Sequence, residues 1–385
     1  MKIRLFYHSL VSDWNHGNAH FLRGIAGELV RRGHEVIVYE PSDGWSFENL
    51  VDKHGLEPLA RFHEAYPDLV NRCYDSRAFD AGAMVGDADL VIVHEWSDPA
   101  LVKAIGRVRQ RRSFVLLFHD THHRLATQPE TMRNYDLSAY DGVLAYGRVL
   151  RDQYLREGLT DRAWTWHEAA DTAVFKPQPQ AEKEGDLVWI GNWGDDERAE
   201  EIHEFLIEPV RALGLKACVY GVRYPEHARQ TLARAGIAYR GWLPNFRVPE
   251  IYARYQVTVH ISRRPYVRAL PGIPTIRPFE AMACGIPLVC SPWSDAEGLF
   301  APGDFLSARD GAGMRRHLQR LIGRPALRQR QAKRALATIR RRHTCAHRVD
   351  ELLDIYAAVA AGDSAAPPGG ARRLSGPSEL TEESA

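Results

Sequence analysis

The segment Thr275-Ile-Arg-Pro-Phe-Glu280-Ala-Met-Ala-Cys-Gly285-Ile-Pro-Leu-Val-Cys-Ser291 carries the most chemistry in this chain. It reads as a tight loop, a short helix, a turn and an apolar strand. A helix N-terminus presents free backbone N–H groups and the positive end of the helix dipole. Phosphate suits such a place, and Arg277 adds a cationic fork beside it. Thr275 and Ile276 supply the backbone at that point. Glu280 lies five residues past Thr275, so it points at the same cleft, where a carboxylate can accept two ribose hydroxyls. Its plainer role is to stabilise the helix dipole, worth about 0.3–1 kcal/mol. The set suits a nucleoside diphosphate.

Other residues fit the same chemistry. His119-Asp120 ends the apolar run Phe114–Phe118, and side chains at a strand's carboxyl end emerge into a cleft. A histidine there can bind a sugar hydroxyl or move a proton, which makes His119 and Asp120 the catalytic candidates. Alternatively His119 is a core residue that orients the loop. His122 and His123 extend the cluster, but close spacing on one loop rarely closes a tetrahedral zinc site, so no metal is expected. Gly17-Asn18 follows a strand and opens a helix, where glycine lets backbone approach a diphosphate or sugar. It is not a GxGxxG motif, which argues against a nicotinamide-dependent oxidoreductase. Asn192 and Arg198 open a second such loop, with Asp195 and Asp196 suited to helix capping. Arg263 follows another apolar strand, where arginine can bind phosphate bidentately or form a surface ion pair.

Alternating strands and helices must position these residues. Ile3–Tyr7, Glu35–Tyr39, Leu90–His94, Phe114–His119 and Gly142–Ala145 read as strands, with helices at Ala19–Arg32 and Ala100–Arg111. The stretch Trp45–Ala83 is irregular and reads as added helices. A polar, proline-bearing linker, Lys176–Gly185, precedes a second run. There Leu187–Ile190, Ala217–Tyr220, Val257–Ile261 and Leu288–Cys290 read as strands, and Glu200–Leu213, Glu226–Ala235 and Pro278–Cys284 as helices. The rhythm predicts two α/β, Rossmann-like, doubly wound parallel-sheet domains facing an interdomain cleft.

Several of these segments, in order, resemble the GT-B glycosyltransferases, family-4-like. They are His16–Gly24 with Glu28–Val36, Phe118-His119-Asp120, Ala169–Pro177, Gly241-Trp242-Leu-Pro-Asn245, Val259–Arg263, the Thr275–Ser291 segment, and His343-Thr344 with Arg348. The Thr275-Ile-Arg-Pro-Phe-Glu280 form looks most like the CgeB-like, spore-maturation branch. The resemblance implies an acceptor-side domain over 1–175, a linker over 176–186 and a donor domain over 187–345. It also implies a terminal helix over 346–360 that returns to the first domain. Its activity would be metal-independent transfer of a hexose from a nucleoside-diphosphate sugar to an acceptor hydroxyl, with retention. His119 and Asp120 would be catalytic. Gly17, Asn18, Asn192, Arg198, Arg263, Thr275, Ile276, Arg277 and Glu280 would hold the donor. Many retaining members carry a second glutamate eight residues before the helix glutamate, where this chain has Gly272. That departure leaves open the donor sugar and the stereochemical outcome. Binding of a nucleotide sugar without turnover, or epimerisation of the donor alone, are the alternatives.

Composition is compatible with all of these. The chain of 385 residues exceeds one compact core, and 45% hydrophobic with 26% charged residues is ordinary for a globular protein. A net charge of +1 gives no global pull toward nucleic acid, which is not an expected partner. The five cysteines form no CxxC pair, so a reducing, cytoplasmic setting fits. No permanent cofactor is expected, the nucleoside-diphosphate sugar being a co-substrate. The acceptor would be a glycan, a lipid-linked saccharide or a small molecule. Met314–Arg348 holds 12 Lys and Arg and no acidic residue. It is either a solvated face or a patch for weak contact with an anionic membrane, which would place the protein at the inner membrane face. Nothing in the sequence sets the oligomeric state. The segment 361–385 is rich in Gly, Pro, Ser and Glu and reads as a disordered tail.

Overall fold

A computed structural model of the chain describes residues 1–178 and 182–362. Residues 179–181 of the expected linker, and the expected disordered tail from 363 onward, lie outside the described residues. Seven parallel strands form the first sheet. They are β1 Lys2–Phe6, β2 Glu35–Pro41, β3 Val70–Tyr74, β4 Leu90–His94, β5 Val115–Asp120, β6 Gly142–Ala145 and β7 Ala163–Thr165. Their order is β3-β2-β1-β4-β5-β6-β7. Six parallel strands form the second. They are β8 Gly185–Ile190, β9 Ala217–Tyr220, β10 Ile237–Tyr239, β11 Tyr255–His260, β12 Leu288–Cys290 and β13 Leu306–Ser307, in the order β10-β9-β8-β11-β12-β13. Each order reverses beside the first strand of its sheet, between β1 and β4 and between β8 and β11. Open α/β sheets bind ligands at that point, off the carboxyl ends of the strands.

Parallel strands covered on both faces read as continuous apolar runs, and all five residues of β4 are buried. Four strands escaped the sequence reading. β3, in the stretch read as helical, is an edge strand whose Val-Asn-Arg-Cys-Tyr run is mostly exposed and shows no apolar pattern. β7, β10 and β13 have two or three residues each, too few for a period to register. The expected helix Glu200–Leu213 is interrupted by a π turn at His203–Ile207. Pro209, two residues beyond the turn, has no N–H for the regular ladder.

The helices Trp45–His54 and Glu57–Ala65 extend from the first domain across the cleft mouth. Trp14, Leu50 and Val222 share one small core there, joined by Trp242. The helix Cys345–Ala360 lies against Ala19–Arg31. It is tied there by Trp166 Nε1, which donates to Arg348 O at 2.9 Å, and by Arg32 paired with Asp350. Leu352 is fully buried on its inner side. Leu352→Ala should lower stability by about 2–4 kcal/mol, read as a drop in urea midpoint at unchanged slope. A loss under half of that would show this helix to be loosely docked.

Candidate active site

Between the domains lies a cavity of about 540 Å³. From the first domain its walls come from the loops after β1, β2, β4 and β5; from the second, from the loops after β8, β9 and β11 and the helix Ile276–Cys284. Of the residues singled out in the sequence, Gly17, Asn18, Asn192, Arg198, Arg263, Thr275, Ile276 and Arg277 meet in this cavity. The domains approach closely there, since a Cβ on Gly17 would stand 3.4 Å from Ile276 Cγ2.

The second domain's wall is cationic. Arg198 donates from Nη1 to Ile261 O at 3.1 Å and from Nη2 to Asn192 O, and its guanidinium lies over the Trp189 ring at 5.2 Å. Its Nε has no hydrogen-bond partner, and no carboxylate pairs with it among the described residues. Burial, then the neighbouring Arg263 and Arg277, push its pKa down to about 9. Arg263 pairs with Glu197 at 2.8 Å and stays half-buried. Arg198 also takes the N-cap position of the helix Ala199–Ile202, while Asp196 falls in the preceding 3-10 turn, so the capping expected of Asp196 is not seen. Thr275 is the N-cap residue of Ile276–Cys284, and its hydroxyl bonds His260 Nε2 at 3.1 Å rather than capping the helix. Burial, then Arg198 and Arg277, lower the His260 pKa to about 3, so the ring is neutral.

Three expected site residues do not reach the cavity. Glu280 is 0% exposed. Its Oε1 accepts from Asn245 Nδ2 at 2.8 Å, and Oε2 pairs with Arg277 Nη1. His20 Nδ1 of the first domain stands 3.2 Å from Oε1. Because His20 Nε2 accepts from the Asp171 amide at 2.8 Å, the ring proton sits on Nδ1, facing the carboxylate. Burial alone would raise the Glu280 pKa, but Arg277, His20 and Asn245 outweigh it and hold the carboxyl below its usual range. Its oxygens are thus committed within the protein rather than offered to a ribose. His119 is 1% exposed, packed against Phe21 and Trp166 and bonded through Nδ1 to Tyr7 OH at 2.7 Å. Asp120 accepts from Tyr154 OH at 2.7 Å and from the His122 amide at 2.9 Å. Both lie beneath the cavity because the last residues of β5 are still inside the sheet; the residues just beyond the strand, Thr121 and His122, line the cavity instead. Burial, then His123, push the His122 pKa down to about 2, and its Nδ1 has no partner.

Some residues went unassigned in the sequence. Asp13 receives Arg23 Nη1, Trp242 Nε1 and the Asn245 amide, each at 2.9 Å, and so bridges the domains. It sits in a loop with no periodicity to mark it. Trp96 lies two residues past the carboxyl end of β4, a position as telling in an open α/β sheet as that of His119. The place of the absent second glutamate is filled: a Cβ on Gly272, at φ +91°, would stand 2.6 Å from Glu297 Cγ. Glu297 in turn accepts from His167 Nε2 at 2.9 Å and the Arg148 amide at 2.6 Å.

Residues 17–174 match the family model described as Glycosyltransferase Family 4, and residues 198–354 the one described as glycosyl transferase-like. The fold is similar to sucrose-phosphate synthase from Thermosynechococcus elongatus, with TM-score 0.63 and 14% identity over 94% of this chain and 100% of that one. It is similar to Anabaena HepE, solved with UDP and glucose, with TM-score 0.63 and 15% identity over 93% and 100%. An α-glucosyltransferase solved with UDP and a 13-mer DNA gives TM-score 0.66 and 13% identity over 93% and 99%. No curated protein matches the sequence significantly. The two sheets and the cleft between them define a GT-B protein. The chain is a glycosyltransferase, family 4-like.

Below the cavity floor, Glu95 lies with His94 Nε2 2.8 Å from its Oε2. Burial raises its pKa to about 8 against the pull of Arg124. The folded chain therefore keeps this proton up to about pH 8, while the unfolded chain releases it near 4.5. Folding takes up a proton over that interval, so this group's contribution to stability is full below it and falls as pH rises, by up to about 1.4 kcal/mol per pH unit. Glu95→Gln removes the dependence. Its melting temperature should approach the wild-type value at the acid end and exceed it increasingly toward pH 8. An offset constant with pH would mean that Glu95 is ionised throughout.

Proposed function

We propose that the chain transfers a sugar from a UDP-sugar to an acceptor hydroxyl, without a metal ion and with retention. The observation that carries this reading is Arg198, a cation whose Nε has no partner among the described residues, at the cavity beside Arg263, Arg277 and the Ile276–Cys284 N-terminus. A diphosphate would neutralise that cluster and replace the missing partner. Relatives of the fold solved with UDP support uridine as the base. In the reaction the bond between the sugar's anomeric carbon and the diphosphate breaks, and its electrons stay on the leaving phosphate oxygen. The arginines stabilise that charge, a task a metal ion performs elsewhere. The acceptor oxygen bonds the same carbon and gives up its proton to the departing phosphate. Residues 1–175 supply the acceptor side and 187–345 the donor side. Neutral His122, at the opposite wall, holds a sugar hydroxyl, in the role first given to His119. Glu280 positions Arg277 rather than touching the ribose. The Thr275–Glu280 sequence supports the CgeB-like branch.

UDP in excess should raise the melting temperature, by mass action on the native state, more than GDP, ADP or TDP does. Arg198→Ala removes two carbonyl hydrogen bonds and the contact with the Trp189 ring but no ion pair among the described residues, and should weaken UDP binding about tenfold or more. If no diphosphate stabilises the wild type, the donor reading fails. A second reading, binding without turnover, is favoured by Glu297, which fills the place of the absent glutamate and is tied to His167 and Arg148. It predicts a UDP shift with no UDP released from a UDP-sugar in the presence of acceptors.

Contact with an anionic membrane through the helices Gly311–Gly323 and Pro325–Arg342 belongs to the same proposal, and with it a cytoplasmic, peripheral location. Arg330, Lys333, Arg334, Arg340 and Arg341 are exposed along the second of these. The chain should sediment with phosphatidylserine vesicles at low salt and be released at high salt. No sedimentation at low salt would end this part.

A further inference from the structure

The cavity's two walls differ in charge. Every arginine that lines it belongs to the second domain. The first domain contributes no lysine or arginine, and its one charged lining residue, Asp13, is already held by Arg23, Trp242 and Asn245. Glu40, next to the lining residue Pro41 in β2, is likewise spent on Ser9, the Leu10 amide and Asn71. What this wall does present is aromatic and neutral-polar. Trp45 and Trp96 line the cavity while 50% and 46% exposed, in a chain where most large apolar side chains are buried.

Both indoles are braced from behind. Trp14 meets Trp45 edge-on at 5.0 Å, and Lys53 lies over Trp14 at 4.0 Å. Arg124 covers one face of Trp96 at 4.4 Å, and His122 meets its edge at 5.2 Å. Neither ring is needed to close the core, yet both are fixed. Around them stand hydrogen-bonding groups without net charge: Asn15, Asn18, Thr121 and His122. The Nδ1 of His122 and that of His8, a further lining residue, are buried and lack partners among the described residues. Burial lowers the His8 pKa to about 3, so that ring too is neutral.

A rigid indole with exposed surface suits the C–H face of a pyranose, and amide, hydroxyl and imidazole groups suit its hydroxyls. An anionic acceptor would find no lysine or arginine lining this wall, Arg124 being stacked on Trp96 and bound to the Glu95 carbonyl, and a planar aromatic one would leave the two orphaned imidazole nitrogens unpaired. We propose that the acceptor is an uncharged saccharide seated on Trp45 and Trp96. The proposal rests on the transferase reading and assigns its second substrate.

The test is binding of cellobiose, maltose and methyl glucoside to the UDP-loaded chain, followed by saturation-transfer NMR and tryptophan fluorescence. p-Nitrophenol and glucose 6-phosphate serve as planar and anionic counterparts. At least one neutral sugar should bind, and Trp45→Ala and Trp96→Ala should each weaken it about tenfold. Trp96→Phe, which keeps a ring, should retain most of the affinity. In all three variants the melting-temperature shift caused by UDP should match wild type, which shows the fold and the donor side to be intact. Binding of only the phenol or only the sugar phosphate overturns the proposal. So do sugar affinities unchanged in both alanine variants, and so does a panel from which no neutral sugar binds. Absence of a UDP shift in the wild type would instead fault the donor reading, and sugar binding to the two indoles would still be scored without UDP.

Discussion

One buried carboxylate organises this molecule. Glu280, inside the second domain, is met by Asn245 and Arg277 from its own side and by His20 from the other. Removing an ion from water is costly, and only a full set of partners offsets it. Separating the domains would strip His20 from that set, so the closed cleft is the state in which Glu280 is best satisfied. Asp13 repeats the device in the opposite sense, as a first-domain carboxylate met by Trp242 and the Asn245 amide of the second. Asn245 serves both, its backbone bonding Asp13 and its side chain Glu280. Interdomain geometry thus rests on these paired polar groups together with a buried apolar cluster that runs through both domains.

The same arrangement shapes the donor wall. Arg277 is bound to Glu280 through Nη1, which fixes the guanidinium at the helix N-terminus. Arg198 has no such carboxylate among the described residues, and its charge is left for whatever enters the cavity. Acidic groups at the interface are therefore consumed internally while basic groups face the cleft. An anion that enters meets preset charge rather than recruiting it, which lowers the reorganisation demanded of the site.

Much of this was legible in the residues. Buried parallel strands read as apolar runs, so β4, β6, β9 and β12 match their sequence spans residue for residue. Strand ends located the cleft, and eight donor-side residues do line it. Depth was harder to read. His119 and Asp120 lie at the end of β5, and a shift of one or two residues decides whether a side chain lies under the floor or in the cavity. Glu280 was placed on the right helix, but its exposure depends on His20 and Asn245, which are far from it in sequence. Edge strand β3 has no apolar pattern, because its side chains are mostly exposed and only its backbone pairs with β2. Trp45 and Trp96 belong to loops and helix starts, where no period reveals which way a ring faces.

The chain passes between the domains twice, once after Phe175 and once before Cys345. Near both crossings the strands of the connection lie side by side, with the Ala170 amide donating to His343 O at 2.9 Å and the Cys345 amide donating to Ala170 O at 3.0 Å. A single tether would let one lobe swivel about the other. Two tethers laced together by main-chain hydrogen bonds resist that torsion, so the two walls of the cavity keep one rotational register.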